Sequence, residues 1–271
     1  MKHLPSVVFS ALLLSLPLLA QSGQTLTIPQ VVDGGGWQST IVLTNNSANS
    51  ALATLIFHSE TSGGATQLWS PPLLETSSTT GMLMAGGSSL FIRTAGTAAA
   101  LTVGWAELNA DPGVSAYVVF TNRLPGQKDQ EGTAPAVAAS NRILVPYDDA
   151  NGYVTAIAVV NPTAGAQTIS VGFRTVDGLV AVNALPSIPA MGHTAFVLSQ
   201  QFPVIAGHRG LAEFYSATGN ISMIGLRFNP TQSFTAAPVY FQSGAPLITA
   251  GSGGGDPYGN DPGYMYSVAK P

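Results

Sequence analysis

The chain has 271 residues and a net charge of −4, and only 8% of its residues are charged, against roughly 25% in an average soluble protein. Its three lysines, Lys2, Lys128 and Lys270, form no basic stripe, which argues against nucleic-acid binding and against docking on an anionic membrane surface. Cysteine is absent, so disulfides, thiolate metal sites and a cysteine nucleophile are excluded, while 45% hydrophobic residues leave ample material for a core.

Residues 1–20 read as a signal peptide. Met1-Lys2-His3 supplies a short positive start, residues 7–20 form an apolar run interrupted by Pro17, and Ala20 offers a small residue for cleavage. The run is short for a membrane span, and no later stretch reaches that length. The expected address is therefore outside the cell or in the envelope, with no membrane span in the mature chain.

An internal repeat organises the rest of the chain. Ile28-Pro29, Asp33, the glycines before Trp37 and a strand ending at Asn45 recur as Val145-Pro146, Asp148, Asn151-Gly152, Tyr153 and a strand ending at Asn161. Further on, Gly87 to Ile92 in the first copy matches Gly192 to Val197 in the second, Gly104-Trp105-Ala106-Glu107-Leu108 matches Gly210-Leu211-Ala212-Glu213-Phe214, and Thr133-Ala134-Pro135 matches Ala236-Ala237-Pro238. The spacing predicts two units, residues 25–139 and 140–243, followed by a flexible tail, residues 244–271, rich in Gly and Pro and carrying Tyr258, Tyr264, Met265 and Tyr266.

Each unit reads as β. Ile169, Val171 and Phe173 alternate with Ser170, Gly172 and Arg174, the period of a strand with one buried face and one wet face. Short β-branched runs separated by Asn, Ser, Gly and Pro predict an all-β fold of two tandem immunoglobulin-like or jelly-roll-like sandwiches. One helical or 3-10 turn is expected within residues 199–205.

Chemistry-bearing residues are sparse. Glu107 and Glu213 hold the same place in both units and are the candidate catalytic pair, since glycoside hydrolysis needs two carboxyls within about 5–10 Å. The plainer reading is two strand carboxylates, one of them paired with an arginine such as Arg227. Asp148, Asp149 and Asn151 resemble a fragment of a calcium loop, but they lack the distal glutamate, and Asp-Asn-Gly is also turn chemistry; the turn is the preferred reading and no cofactor is expected. His58, His193 and His208 show no HxH or HExxH spacing, so no metal site is assigned. Trp37 and Trp105 have apolar counterparts and read as core or rim, whereas Trp69 has none and is the candidate exposed aromatic for a glycan. Asn45-Asn46-Ser47 and Asn220-Ile221-Ser222 match the glycosylation sequon.

The opening Ile28-Pro29 to Trp37, the runs Leu43-Thr44-Asn45 and Ala158-Val159-Val160-Asn161-Pro162, the stretch Ala190 to Phe196, and Gly225-Leu226-Arg227-Phe228 together resemble the tandem sandwich repeats of uncharacterised proteins secreted by acidobacteria. That resemblance implies export and a β-sandwich and carries no activity. The expected function is a non-catalytic secreted or envelope protein serving adhesion, surface structure or ligand binding, with a glycan or another envelope protein as partner. Residues 251–271 are expected to mediate self-association, their 258–268 stretch adding as a strand to a neighbouring subunit. The alternative is a carbohydrate-binding module or a carbohydrate-active enzyme using Glu107 and Glu213.

Overall fold

The computed structural model describes residues 23–249 except Leu124, Gln127 and Gln232; the expected signal peptide and residues 250–271 lie outside the described residues. The chain is nearly all β, as expected, with every sheet antiparallel. The first nine strands are β1 (Gln24–Asp33), β2 (Trp37–Asn45), β3 (Ala51–Glu60), β4 (Thr66–Trp69), β5 (Met82–Met84), β6 (Ser89–Arg93), β7 (Thr102–Ala110), β8 (Val114–Asn122) and β9 (Gln130–Pro135). They form one sheet in the order β1-β7-β3-β4, with β5 also on β3, and a second in the order β6-β2-β8-β9. Ile28, Leu55, Phe57 and Leu108 from the first sheet meet Ile41, Leu43, Val118 and Phe120 from the second in one buried cluster. A side chain of this size contributes about 1.5–3 kcal/mol when fully buried, so this contact between two sheets holds the sandwich together.

The second set is β10 (Arg142–Asp148), β11 (Val154–Val160), β12 (Ile169–Thr175), β13 (Val180–Ala184), β14 (His193–Val197), β15 (Arg209–Ser216), β16 (Ser222–Phe228), β17 (Phe234–Ala237) and β18 (Tyr240–Gln242). One sheet runs β13-β12-β15-β10-β18 and the other β14-β11-β16-β17, so the strand order of the first half recurs. The helical turn expected after β14 is α1 (Leu198–Gln201), followed by a 3-10 turn at Pro203–Ile205. Phe202 and Ile205 from this stretch join Ile143, Phe173 and Phe214 in the second core.

Two repeated residues explain why both halves close alike. A Cβ on Gly104 would lie 1.9 Å from the His58 carbonyl oxygen, and one on Gly210 would lie 2.2 Å from that of Arg174. Both glycines therefore let β7 and β15 approach their neighbouring strands, β3 and β12, where any side chain would push them apart. Asn45 and Asn161 are the second device, each fully buried at the end of β2 or β11. The Asn45 Nδ2 donates to the carbonyls of Asn49, Met84 and Ala85, while its Oδ1 accepts from the backbone N–H and the hydroxyl of Ser47. Asn161 does the same with the carbonyls of Gly165, Ile188 and Pro189 and with Thr163. One side chain thus satisfies a turn and ties it to a distant loop.

The two halves are joined by contact as well as by chain. Phe234 packs on Trp37 at 5.6 Å between ring centroids and lies over Gly132, where a Cβ would come 2.4 Å from its ring. The chain also returns after each set of strands to cover the sheet edge: Val137 bridges Thr27 on β1, and β18 pairs with β10. Beyond β18, residues 244–249 cross the outer face of the β12-β15-β10 sheet. Ile248 there is buried over Gly172, where a Cβ would lie 2.6 Å from its own. Gly172, which the alternation assigns to a wet face, is therefore covered.

Candidate functional site

The two glutamates occupy corresponding strands but differ in surroundings. Glu213 lies on the outer face of β15 and is 1% exposed. Its carboxylate accepts the backbone N–H of Leu247 at 2.9 Å and that of Ile248 at 2.7 Å, with the Arg142 Nε 3.9 Å away. Arg142 donates in turn to the Ala245 carbonyl, and Asn141 to that of Gly244 at 3.3 Å. Glu213 and Arg142 together hold the 244–249 strap by its backbone, and the carboxylate is closed off by the segment it binds. Glu107 is half-buried on β7 and accepts from its own strand neighbour, Asn109. Its cross-strand partner is Ile56, at the register where Glu213 meets Gly172, so a side chain fills the place that the strap's isoleucine takes in the second half. The two carboxylates therefore have different hydrogen-bond partners, a neighbouring side chain for Glu107 and the strap's backbone for Glu213.

The Asp148 loop is a turn with two separate anchors. Asn151 and Gly152 have φ of 56° and 80°, the left-handed conformation that Asn and Gly tolerate best, and the Tyr153 N–H closes the turn on the Ala150 carbonyl at 3.1 Å. Asp148 meets Arg227 Nη2 at 2.7 Å and Arg209 Nε at 3.5 Å, and Arg227 lies 3.7 Å from the centroid of the Tyr153 ring. Burial works against the charged form of Asp148. The hydrogen bonds from Arg227 and the Ala150 N–H, with the two arginine charges, nevertheless hold it below the usual carboxylate range. Asp149 turns elsewhere, accepting from the Ser199 hydroxyl at 2.6 Å and the Gly207 N–H at 3.0 Å. The calcium-loop alternative for Asp148, Asp149 and Asn151 therefore gains no support: the two carboxylates are turned to different partners. Among the described residues no group of three or more His, Cys, Asp or Glu is placed to hold a metal ion.

His193 and Trp105 form the polar joint between the halves, a role the sequence did not suggest for either. The buried His193 ring places Nδ1 3.1 Å from Glu60 Oε2 and Nε2 2.9 Å from Gln30 Oε1. Trp105 donates its indole N–H to the Met191 carbonyl at 3.1 Å, and Thr66 donates to the same oxygen at 2.6 Å. Met191 has φ of 55°, a costly conformation for a residue with a side chain, and its carbonyl is the point that both donors reach. His58 stacks on Trp105 at 4.3 Å with the rings 9° from parallel.

Burial pushes the His58 imidazole below its ordinary value of 6.5, opposed by the charge of Glu107. Below that value the unfolded chain binds a proton on this residue more readily than the folded chain. The contribution of His58 is therefore complete above the ordinary value and is lost as the pH falls beneath it. Urea midpoints should thus drop between pH 7.5 and pH 5, and H58F, which keeps the stack on Trp105, should shallow that drop. An equal drop in both proteins would remove His58 as its source.

Trp69 lies on β4, half-buried, with its ring edge-on to Phe57 at 6.3 Å between centroids. It lines a surface cleft of about 260 Å³ with Leu68, Ser70, Ser77, Thr79 and Thr80, and none of the lining side chains is ionisable. Leu68 is 76% exposed at its rim. A second cleft, at residues 71–77, shares Pro71, Leu73 and Ser77 with the first and extends it to Glu75, which is paired with Arg93.

The first sequon does not survive folding. The Asn45 amide is fully buried and donates to three carbonyls, whereas Asn220 is exposed. No helix among the described residues is long and apolar enough to cross a membrane. Compared with protein-family models and with curated proteins, the chain matches none.

Proposed function

We propose that the protein is an exported, non-catalytic binding module of the cell surface or envelope, related to the tandem sandwich repeats of secreted acidobacterial proteins, and that its Trp69 cleft takes a neutral glycan. The cleft carries this reading. An indole beside Ser70, Ser77 and Thr80, with the Thr79 hydroxyl donating to the Leu55 carbonyl and no charge in the lining, matches a sugar ring, whose C–H face stacks on an aromatic while its hydroxyls exchange hydrogen bonds. Glu213 supports the non-catalytic half of the reading, because its carboxylate is occupied by the chain's own backbone.

On a glycan array, W69A should lose at least tenfold of whatever affinity the unmodified chain shows, and W69F, which keeps the packing on Phe57, should retain part of it. Circular dichroism checks that both variants fold. A glycan bound equally well by folded W69A would place recognition elsewhere, and the cleft reading would fail.

A further inference from the structure

The two Ala-Pro elements of the repeat, Ala134-Pro135 and Ala237-Pro238, line one groove where the two halves meet. The groove has a volume of about 430 Å³, and Val137, Met223, Ile224, Val239 and Phe241 add to its apolar lining, which contains no charged side chain. Its walls include β9 and β17, which among the described residues are the last strands of their sheets, together with Met223, Ile224 and Gly225 of β16. It is separate from the Trp69 cleft, with which it shares no residue.

We propose that residues 263–268 of the same chain, Gly-Tyr-Met-Tyr-Ser-Val, seat in this groove. Three observations support that occupant. The segment is the aromatic-rich part of the tail and is free of charge, with Asp256 and Asp261 before it and Lys270 after it, so it matches the uncharged lining. The chain is delivered close by: Ile248 is pinned over β12, and in the sheet order β12-β15-β10-β18 the groove residue Phe241 is three strands away, roughly 15 Å at the usual strand spacing. From Ile248 to Tyr266 the extended chain reaches about 60 Å, so the span is covered with slack. Tyr side chains offer large apolar area at a small entropic cost, and the unbranched Met adapts to an irregular surface, which suits a groove lined by Ala and Pro.

The chain has no cysteine of its own, which makes cross-linking clean. In the full chain, A236C with M265C should form an intramolecular disulfide under mild oxidation, giving a faster-migrating monomer. V176C with M265C should not, although Val176 is 76% exposed and directly follows the strand to which Ile248 is pinned. Linked dimers would assign the tail to a second copy and overturn the proposal; so would equal linkage at positions 176 and 236, or no linkage at position 236. Hydrogen exchange on cysteine-free protein gives an independent reading: truncation after Thr249 should speed exchange at residues 130–137 and 234–241, and unchanged exchange there would also overturn it.

Discussion

N161A should unfold at markedly lower urea concentration than the unmodified chain, with a loss of about 3 kcal/mol from the three carbonyls and one N–H it leaves without this partner. The Asn161 amide is fully buried and meets the carbonyls of Gly165 at 2.7 Å, Ile188 at 3.1 Å and Pro189 at 2.7 Å. Alanine provides neither the donors nor the acceptor that Thr163 uses, and the site is closed to bulk water. N161D should be worse still, because a buried carboxylate would face three carbonyl oxygens. N45A should cost a similar amount, since its partners are the same in kind and number. N220A, at an exposed position, should stay within about 0.5 kcal/mol of the unmodified chain. Losses below about 1 kcal/mol for both buried asparagines would mean that other contacts hold these turns.

The second large effect is expected at Glu213. E213A leaves the N–H groups of Leu247 and Ile248 unpaired and strands the largely buried Arg142 without its counter-charge, which should cost about 3 kcal/mol. Limited proteolysis should then cut within residues 244–249 well before the sandwiches are attacked, because the strap loses both its anchor and the seat of Ile248 over Gly172. E107A should change stability by no more than about 0.5 kcal/mol, as a half-buried carboxylate bonded to a neighbouring asparagine contributes little. The contrast separates a clamp from a catalytic pair. Equal stability losses in the two variants, with no change in cleavage at the strap, would refute the clamp.

Much of the architecture is legible in the residues themselves. The alternation through Ile169, Val171 and Phe173 marks one face of a strand, and all three are fully buried on β12. The glycines of the two Gly-x-Ala-Glu strands and the asparagines closing β2 and β11 recur because each solves a local problem, a close backbone approach or a buried turn, that the fold poses twice. Such constraints act over a few residues, so they leave a pattern along the chain.

The candidate sites were less legible. Glu107 and Glu213 look equivalent when the two halves are aligned, yet one meets Ile56 and the other a glycine covered by Ile248, which lies 35 positions beyond Glu213. His193 and Trp105 gave no signal of a shared joint, because their partners Glu60, Gln30 and Met191 are brought near only when the halves pack. Trp69 stood out by lacking a counterpart, but its hydroxyl neighbours Ser77, Thr79 and Thr80 reach it through a loop whose course no local rule dictates.

By itself, then, the sequence determined the all-β class, the strand faces and the glycine and asparagine positions that both sandwiches need. Which carboxylate clamps a strap, which aromatic borders a cleft and which histidine is sealed between the halves were decided only by tertiary structure. Strand period and turn chemistry are short-range, whereas burial and partner choice depend on residues that meet across the sheets.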